Sequence, residues 1–226
     1  MSVDLGALYA AARQRITAVL DDTPAGVADR PCPATPGWTV RDVVAHLRGI
    51  TEDVRTGNLA GVTTDPWTAA QVERHREDSL ARLLHDWAVD AAPFEEFLSG
   101  PHGAGAMRAV IDVHTHEYDI SGVLVSRPPM ADAFATWALG ELVSGFAEQS
   151  IAAGLPAVCV CTDEGDVLGS QDAPVSLRVS RFELFRAALG RRSPAQVSAF
   201  DWGGADPAPY LEHFFVFSPR PDPLTE

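Results

Sequence analysis

"IDVHTHEYDIS", residues 111–121, sets two histidines and three carboxylates among residues that otherwise read as a buried helix. The fold turns on which way these side chains face. On an α-helix, residues three and four apart share a face, so Asp112, His116 and Asp119 form one stripe. Ala109 and Ile120 flank that stripe, which predicts that it faces the interior of a helical bundle rather than bulk water. His114 and Glu117 fall off the stripe and are expected to point elsewhere, as outward bystanders.

Working outward, the stretch belongs to a helix predicted over 102–125 and closed by "SRPP". Ahead of it, Leu5, Leu8, Tyr9, Ala12, Ile16, Val19 and Leu20 recur with the 3.6-residue period, predicting a first helix over about 3–20. The proline- and glycine-rich "DDTPAGVADRPCPATPG" reads as an irregular connection. A second helix restarts at "WTVRDVVAHLRGI", where Thr39 and Asp42 resemble a capping box, and ends near Gly57. Residues 65–92 carry Val72, Leu80, Leu83, Leu84 and Trp87 at helical spacing and read as a third helix. "ADAFATWALGELVSGFAEQSIAAG" gives a fifth, closed by Gly154 and Pro156.

Beyond this the pattern changes. "PAVCVCT" and "APVSLRV" are short β-branched runs separated by the turn-forming "DEGD" and "GSQDA", as expected for strands. "SRFELFRAALG" reads as a helix with Ser180 as N-cap and Gly190 closing it, and a short helix is expected after Ser193-Pro194. The predicted architecture is α+β: an up-and-down helical bundle over 1–154, then a small α+β C-terminal domain over 155–226. No internal repeat or low-complexity tract is evident.

With 226 residues, 46% hydrophobic and 21% charged, the chain has the composition of an ordinary globular protein able to bury a sizeable core. The formal charge of −14 opposes binding to phosphate backbones and anionic lipid, so neither nucleic acid nor membrane is an expected partner. Cys32, Cys159 and Cys161 are too few and odd in number for a secreted disulfide framework. No signal peptide is visible at the N-terminus, and a reducing, cytoplasmic location is expected. Basic side chains are carried by Arg rather than Lys, and Ala is abundant, as in a GC-rich bacterial genome. The oligomeric state is left open.

A carboxylate and an imidazole four residues apart suit a divalent ion, because neutral imidazole nitrogen and carboxylate oxygen both ligate Zn²⁺, Fe²⁺ or Ni²⁺. Two ligands do not make a site, and bundle centres draw others from facing helices. The best third donor is His46 of the second helix, beside the apolar stripe of Val40, Val43, Val44 and Leu47. Two His and one carboxylate leave open coordination positions, the arrangement of a catalytic centre. The same spacing also occurs on ordinary wet helices, so spacing alone leaves both readings open.

"PGWTVRDVVAHL" (36–47) followed by "DVHTHEYD" (112–119) resembles the mycothiol-dependent maleylpyruvate isomerase family, within the wider DinB/YfiT-like metal-binding bundles. The likeness extends through "VERHREDSLARLLHDW" (72–87) and "VSRFELFRAALGRRSPAQVSAFDW" (179–202), covering most of the chain. It implies a DinB-like bundle with His46, Asp112 and His116 as metal ligands, zinc foremost and nickel or iron as alternatives. It also implies mycothiol or a similar thiol as cofactor and a small electrophilic substrate such as a maleylpyruvate-like acid. The reaction implied is isomerisation or thiol S-transfer; a non-catalytic metal-binding sensor or accessory module is the alternative. Members of the family generally carry Glu at the carboxylate position, where this chain has the shorter Asp112.

Asp119 is expected either to orient His116 or to form an ordinary cap or ion pair. Glu117 beside His116 lacks the second His of a zinc-protease motif, since position 120 is Ile. Cys159 and Cys161 share a strand face, so either a dithiol or soft-metal site or two buried thiols is expected. His75, His85, His102, His114 and His213 are expected at the surface or its boundary. Arg181, Arg186, Arg191 and Arg192 are read as a solvated helix face, or as carboxylate-binding groups for an anionic substrate or thiol cofactor. No dinucleotide, P-loop or serine-hydrolase motif is present.

Overall fold

Asp4 opens the first helix by accepting the backbone N–H of Ala7 at 3.0 Å, and α1 runs over Leu5–Asp21. The computed structural model describes residues 3–24 and 26–226. α2 (Val40–Thr56) starts at the expected capping box: Thr39 N–H donates to Asp42 at 2.8 Å, and Asp42 N–H returns to Thr39 Oγ1 at 3.3 Å. It ends at Gly57, whose φ of 75° is the left-handed conformation that glycine adopts without a Cβ clash.

The predicted third helix is two helices, α3 (Asp65–Arg74) and α4 (Leu80–Ser99). The apolar spacing hides the break, because Ser79 restarts the helix by accepting the N–H of Arg82 at 3.2 Å. His75 occupies the break and is buried, contrary to its expected surface place. Arg48 donates to its Nδ1 at 2.6 Å, and its Nε2 donates to Glu52 at 2.9 Å, so a network supplied by α2 pulls the chain inward here.

α5 (Met107–Leu124) carries the opening stretch. The chain forms two compact units, Met1–Pro128 and Pro129–Glu226. In the first, α1 packs on α4 and α5, and α2 packs on α3, α4 and α5, so the four long helices make a bundle. Tyr9, Trp87 and Phe94 anchor its core, with Trp87 Nε1 donating to Tyr9 Oη at 3.0 Å and the Tyr9 and Phe94 rings edge to face at 5.3 Å. α5 lies between α1 and α2, and residues 113–121 are buried on every side.

The second unit holds α6 (Asp132–Ala152), three strands, and short helices α7 (Arg181–Ala188), α8 (Pro194–Ser198) and α9 (Leu211–Phe214). β1 (Val158–Thr162) is central, antiparallel to β2 (Val167–Gly169) and parallel to β3 (Val175–Val179). β2 is a strand that the sequence pattern concealed, since three residues between two turn signals carry no periodicity. The fold class is the one the pattern predicted, a helical bundle followed by a small α+β region, with α6 grouped in the second unit. Among the described residues, no helix is long and apolar enough to cross a membrane.

The arginines are neither a solvated face nor open anion receptors. Arg186 and Arg192 are buried; Arg192 grips Glu183 through Nε at 2.6 Å and Nη2 at 2.8 Å, and both meet Glu226. Gln196 makes this possible by bonding the backbone N–H and C=O of Leu224 at 3.1 and 2.8 Å, which folds the last residues back over α7 and α8. Arg191 donates to Leu189 C=O at 3.1 Å. Arg181 holds Asp166 through two bonds of 2.5 and 2.7 Å, and Thr162 adds a third of 2.6 Å.

The guanidinium of Arg181 holds the Asp166 carboxyl at about 2 against the opposing effect of burial, with the Thr162 hydroxyl adding to the lowering. A carboxyl depressed in the folded state stabilises it above the unfolded value near 3.8, and that contribution fades as pH falls through 2. Urea unfolding at stepped pH should therefore show stability falling between pH 4 and 2, with a shallower slope in Asp166→Asn.

Candidate metal centre

Helix α2 brings His46 to α5, where its Nε2 lies 3.2 Å from Asp112 Oδ2. One turn along α5, His116 Nε2 lies 3.5 Å from Asp112 Oδ1. One ligand atom from each of the three fits within a 4.8 Å span, so the structure brings together the three side chains singled out in the sequence. His46 and His116 are buried, and the Asp112 side chain is 27% exposed, so the cluster opens to solvent past its carboxylate.

The far nitrogen of each imidazole has a fixed partner. Gln71 Nε2 donates to the carboxylate of Asp53 at 2.8 Å, which leaves its Oε1 as the acceptor facing His46 Nδ1 at 2.8 Å. His46 must then carry its proton on Nδ1 when neutral, presenting the Nε2 lone pair toward Asp112. Asp119 does the same for His116, its Oδ2 accepting from Nδ1 at 2.8 Å. This contact orients the His116 ring and is at the same time an ion pair within α5, so it serves both roles open to Asp119. Asp53 is in turn held by Arg74 Nη2 and Asn58 Nδ2, both at 2.8 Å.

Trp38 covers the pair, with its ring centroid 5.3 Å from that of His46 and 6.1 Å from that of His116. The irregular connection places it there: Cys32 N–H donates to Trp38 C=O at 2.8 Å and Val40 N–H to Arg30 C=O at 3.1 Å, so the loop doubles back onto the start of α2. Cys32 is buried in the same region, its thiol 3.4 Å from Asp119 C=O.

His114 and Glu117 do leave the stripe, but they are buried rather than outward. Glu117 takes a forked pair of bonds from Arg15 of α1 at 2.5 and 2.8 Å, and His114 Nε2 donates to Leu8 C=O at 3.3 Å. Burial drives the His114 imidazole below its ordinary range, toward the neutral form. Burial also works to raise the Glu117 carboxyl, yet Arg15 and His114 together hold it below the usual carboxylate range. This is an interhelical tie between α1 and α5.

Trp38, Gln71 and Asp53 escaped the sequence reading. Trp38 precedes the capping box, a place where an apolar residue reads simply as a helix staple. Gln71 had one indirect signal, Gly49: a Cβ there would lie 2.6 Å from Gln71 Cβ, so only glycine lets α3 come this close to α2. His85 and His102 are exposed and His213 half-buried, as expected.

The donor set fits a divalent ion. Bonds of about 2.1 Å at tetrahedral angles separate neighbouring ligand atoms by about 3.4 Å; here His46 Nε2 lies 3.2 Å from one oxygen of Asp112 and His116 Nε2 3.5 Å from the other, with one donor atom from each residue within a 4.8 Å span. Removing an outer partner typically weakens metal binding by about 10–100-fold. Gln71→Leu should therefore lower zinc affinity by that factor, read by competition with a chromophoric chelator.

A family model described as mycothiol maleylpyruvate isomerase N-terminal domain matches residues 9–121, half of the chain, including all three donors. Comparison with curated proteins and with solved structures finds no significant match.

Proposed function

From the premise that this chain belongs to the mycothiol maleylpyruvate isomerase N-terminal domain family, we propose that it is a metal- and thiol-dependent enzyme that isomerises, or transfers a thiol to, small electrophilic acids of the maleylpyruvate type. The observation that carries this reading is the cluster of His46, Asp112 and His116, with both imidazoles turned by acceptors to present Nε2. Zinc is the metal we assign to these donors, with nickel or iron as competitors. When bound, such an ion lowers the pKa of a coordinated thiol, so that a nucleophilic thiolate is available at neutral pH.

The chain's own residues prepare for that chemistry. Gln71 and Asp119 hold the two imidazoles rigidly, so little reorganisation is left for the moment of reaction. Asp112 brings one negative charge, leaving a divalent centre with net positive charge to attract an anionic thiol and an acidic substrate. Three protein donors leave a position for the thiol, on the open side beside Asp112. Trp38 covers the imidazoles and keeps bulk water from them. The compartment that keeps such a thiol reduced is the cytoplasm, where we place the protein.

Zinc-loaded protein mixed with mycothiol and maleylpyruvate tests the proposal. Loss of maleylpyruvate with thiol conserved is the expected result for an isomerase, and stoichiometric loss of both is that for a transferase. Neither change across a panel of electrophilic acids, with metal bound, overturns the enzyme reading in favour of a non-catalytic metal-binding module.

A further inference from the structure

The register of the small sheet divides the side chains of β1 between two faces. Val158, Val160 and Thr162 are buried together with their partners Val175, Leu177 and Val179 on β3. Cys159 and Cys161 occupy the other face. Every cross-strand neighbour there is exposed: Gly169 and Val167 on β2, Ser176 and Arg178 on β3. The pair thus lies on the outer face of the sheet, with Cys159 nearly covered and Cys161 half-buried. Both are free thiols, and their Sγ atoms are 3.8 Å apart.

That spacing separates two uses of a dithiol. Residues two apart on a strand have Cα atoms about 6.6 Å apart, near the upper limit of about 6.8 Å for a disulfide. Closing the bond would bring the sulfurs to about 2.05 Å and compress the middle strand of the sheet. Two thiolates on one tetrahedral ion, with bonds of about 2.3 Å, stand about 3.8 Å apart, which is the separation present here. The rigid central strand holds the pair at the bite of a metal dithiolate.

We propose that Cys159 and Cys161 supply two donors of a second metal site, completed by water or an external thiol, specific for thiophilic cations of the zinc or copper(I) type and distinct from the His46, Asp112 and His116 cluster. On binding, each thiol gives its proton to solvent and forms one sulfur–metal bond, with no change of oxidation state. Water or an external thiol would reach the ion from the side of Cys161, the half-buried member of the pair. Burial, and then the neighbouring Cys161, raise the Cys159 thiol above its ordinary range, so this thiol keeps its proton until a cation displaces it. The inference rests on β1 and does not depend on the function proposed for the bundle.

Cadmium(II) is the probe, since its thiolate complexes absorb in the ultraviolet and its imidazole and carboxylate complexes do not. In the reduced full-length chain, one equivalent should produce a two-thiolate charge-transfer band, and His46→Ala should retain it. Structural sites of four ligands bind with about 10–16 kcal/mol, or roughly 3–4 kcal/mol per ligand, which is about 10²–10³ in affinity. Cys159→Ser and Cys161→Ser, near-isosteric changes checked by circular dichroism, should each halve the band and lower cadmium affinity by about that factor. Cys32→Ser should leave both unchanged. Phenylarsine oxide, which condenses with two thiols and releases water, should abolish the band. Full affinity in both single variants overturns the proposal. So does the absence of a band while a thiol reagent still finds both cysteines, or the loss of both thiols to a disulfide in the presence of cadmium.

Discussion

Replacing His46 or His116 by Ala is expected to lower zinc affinity by about 10²–10³, the roughly 3–4 kcal/mol that one ligand contributes to a structural zinc site. Each imidazole is buried and oriented by one acceptor, Gln71 or Asp119, so the substitution removes a donor already set in place. Elemental analysis of purified protein, with chelator competition for the constants, measures the loss. His114→Ala is the internal control, because His114 sits two residues from His116 yet bonds Leu8 C=O on α1. It should keep wild-type metal content while losing some stability. Unchanged metal in His46→Ala and His116→Ala would refute the assignment.

The second large effect lies in the core. Trp87 is fully buried, donates to Tyr9 Oη at 3.0 Å and meets the Tyr9 ring edge to face at 6.4 Å. Trp87→Ala should cost about 3–5 kcal/mol, combining lost transfer energy with the cavity left between α1 and α4. It also strips Tyr9 of a partner deep in the bundle, where burial already pushes the phenol well above its ordinary range. Trp87→Phe keeps most of the volume and should cost clearly less. Urea unfolding read by circular dichroism at 222 nm (the usual helix wavelength) ranks the two; equal costs would mean that the hydrogen bond, and not the volume, dominates.

Local chemistry was legible in the sequence, and long-range pairing was not. The capping box at Thr39 and Asp42 and the caps at Ser180 and Ser193 are encoded within four residues, and the structure shows them as read. His46 could be singled out as a candidate partner of Asp112 and His116 because each lies beside an apolar stripe that must face a neighbouring helix, but spacing left the set open and the family resemblance supplied it. The partners of buried polar groups come from elsewhere in the chain. Gln71 is 25 residues from His46, Arg15 is 102 from Glu117 and Glu226 is 40 from Arg186. Periodicity says that a face is buried, but not which charge a distant segment will bring to meet it. For the same reason His75 and His114 read as surface residues: their burial is tolerable only because Arg48, Glu52 and Leu8 C=O satisfy them.

The middle of α5 has no idle side, and this decides where the centre is open to change. Lengthening or shortening a side chain between 113 and 121 disturbs packing against another helix, whereas Asp112 stands at the edge of that region with 27% of its side chain in solvent. A change of one methylene at position 112 would therefore alter the reach of the carboxylate while the two imidazoles and their acceptors stay in place. The bundle separates a fixed half of the centre from an adjustable rim.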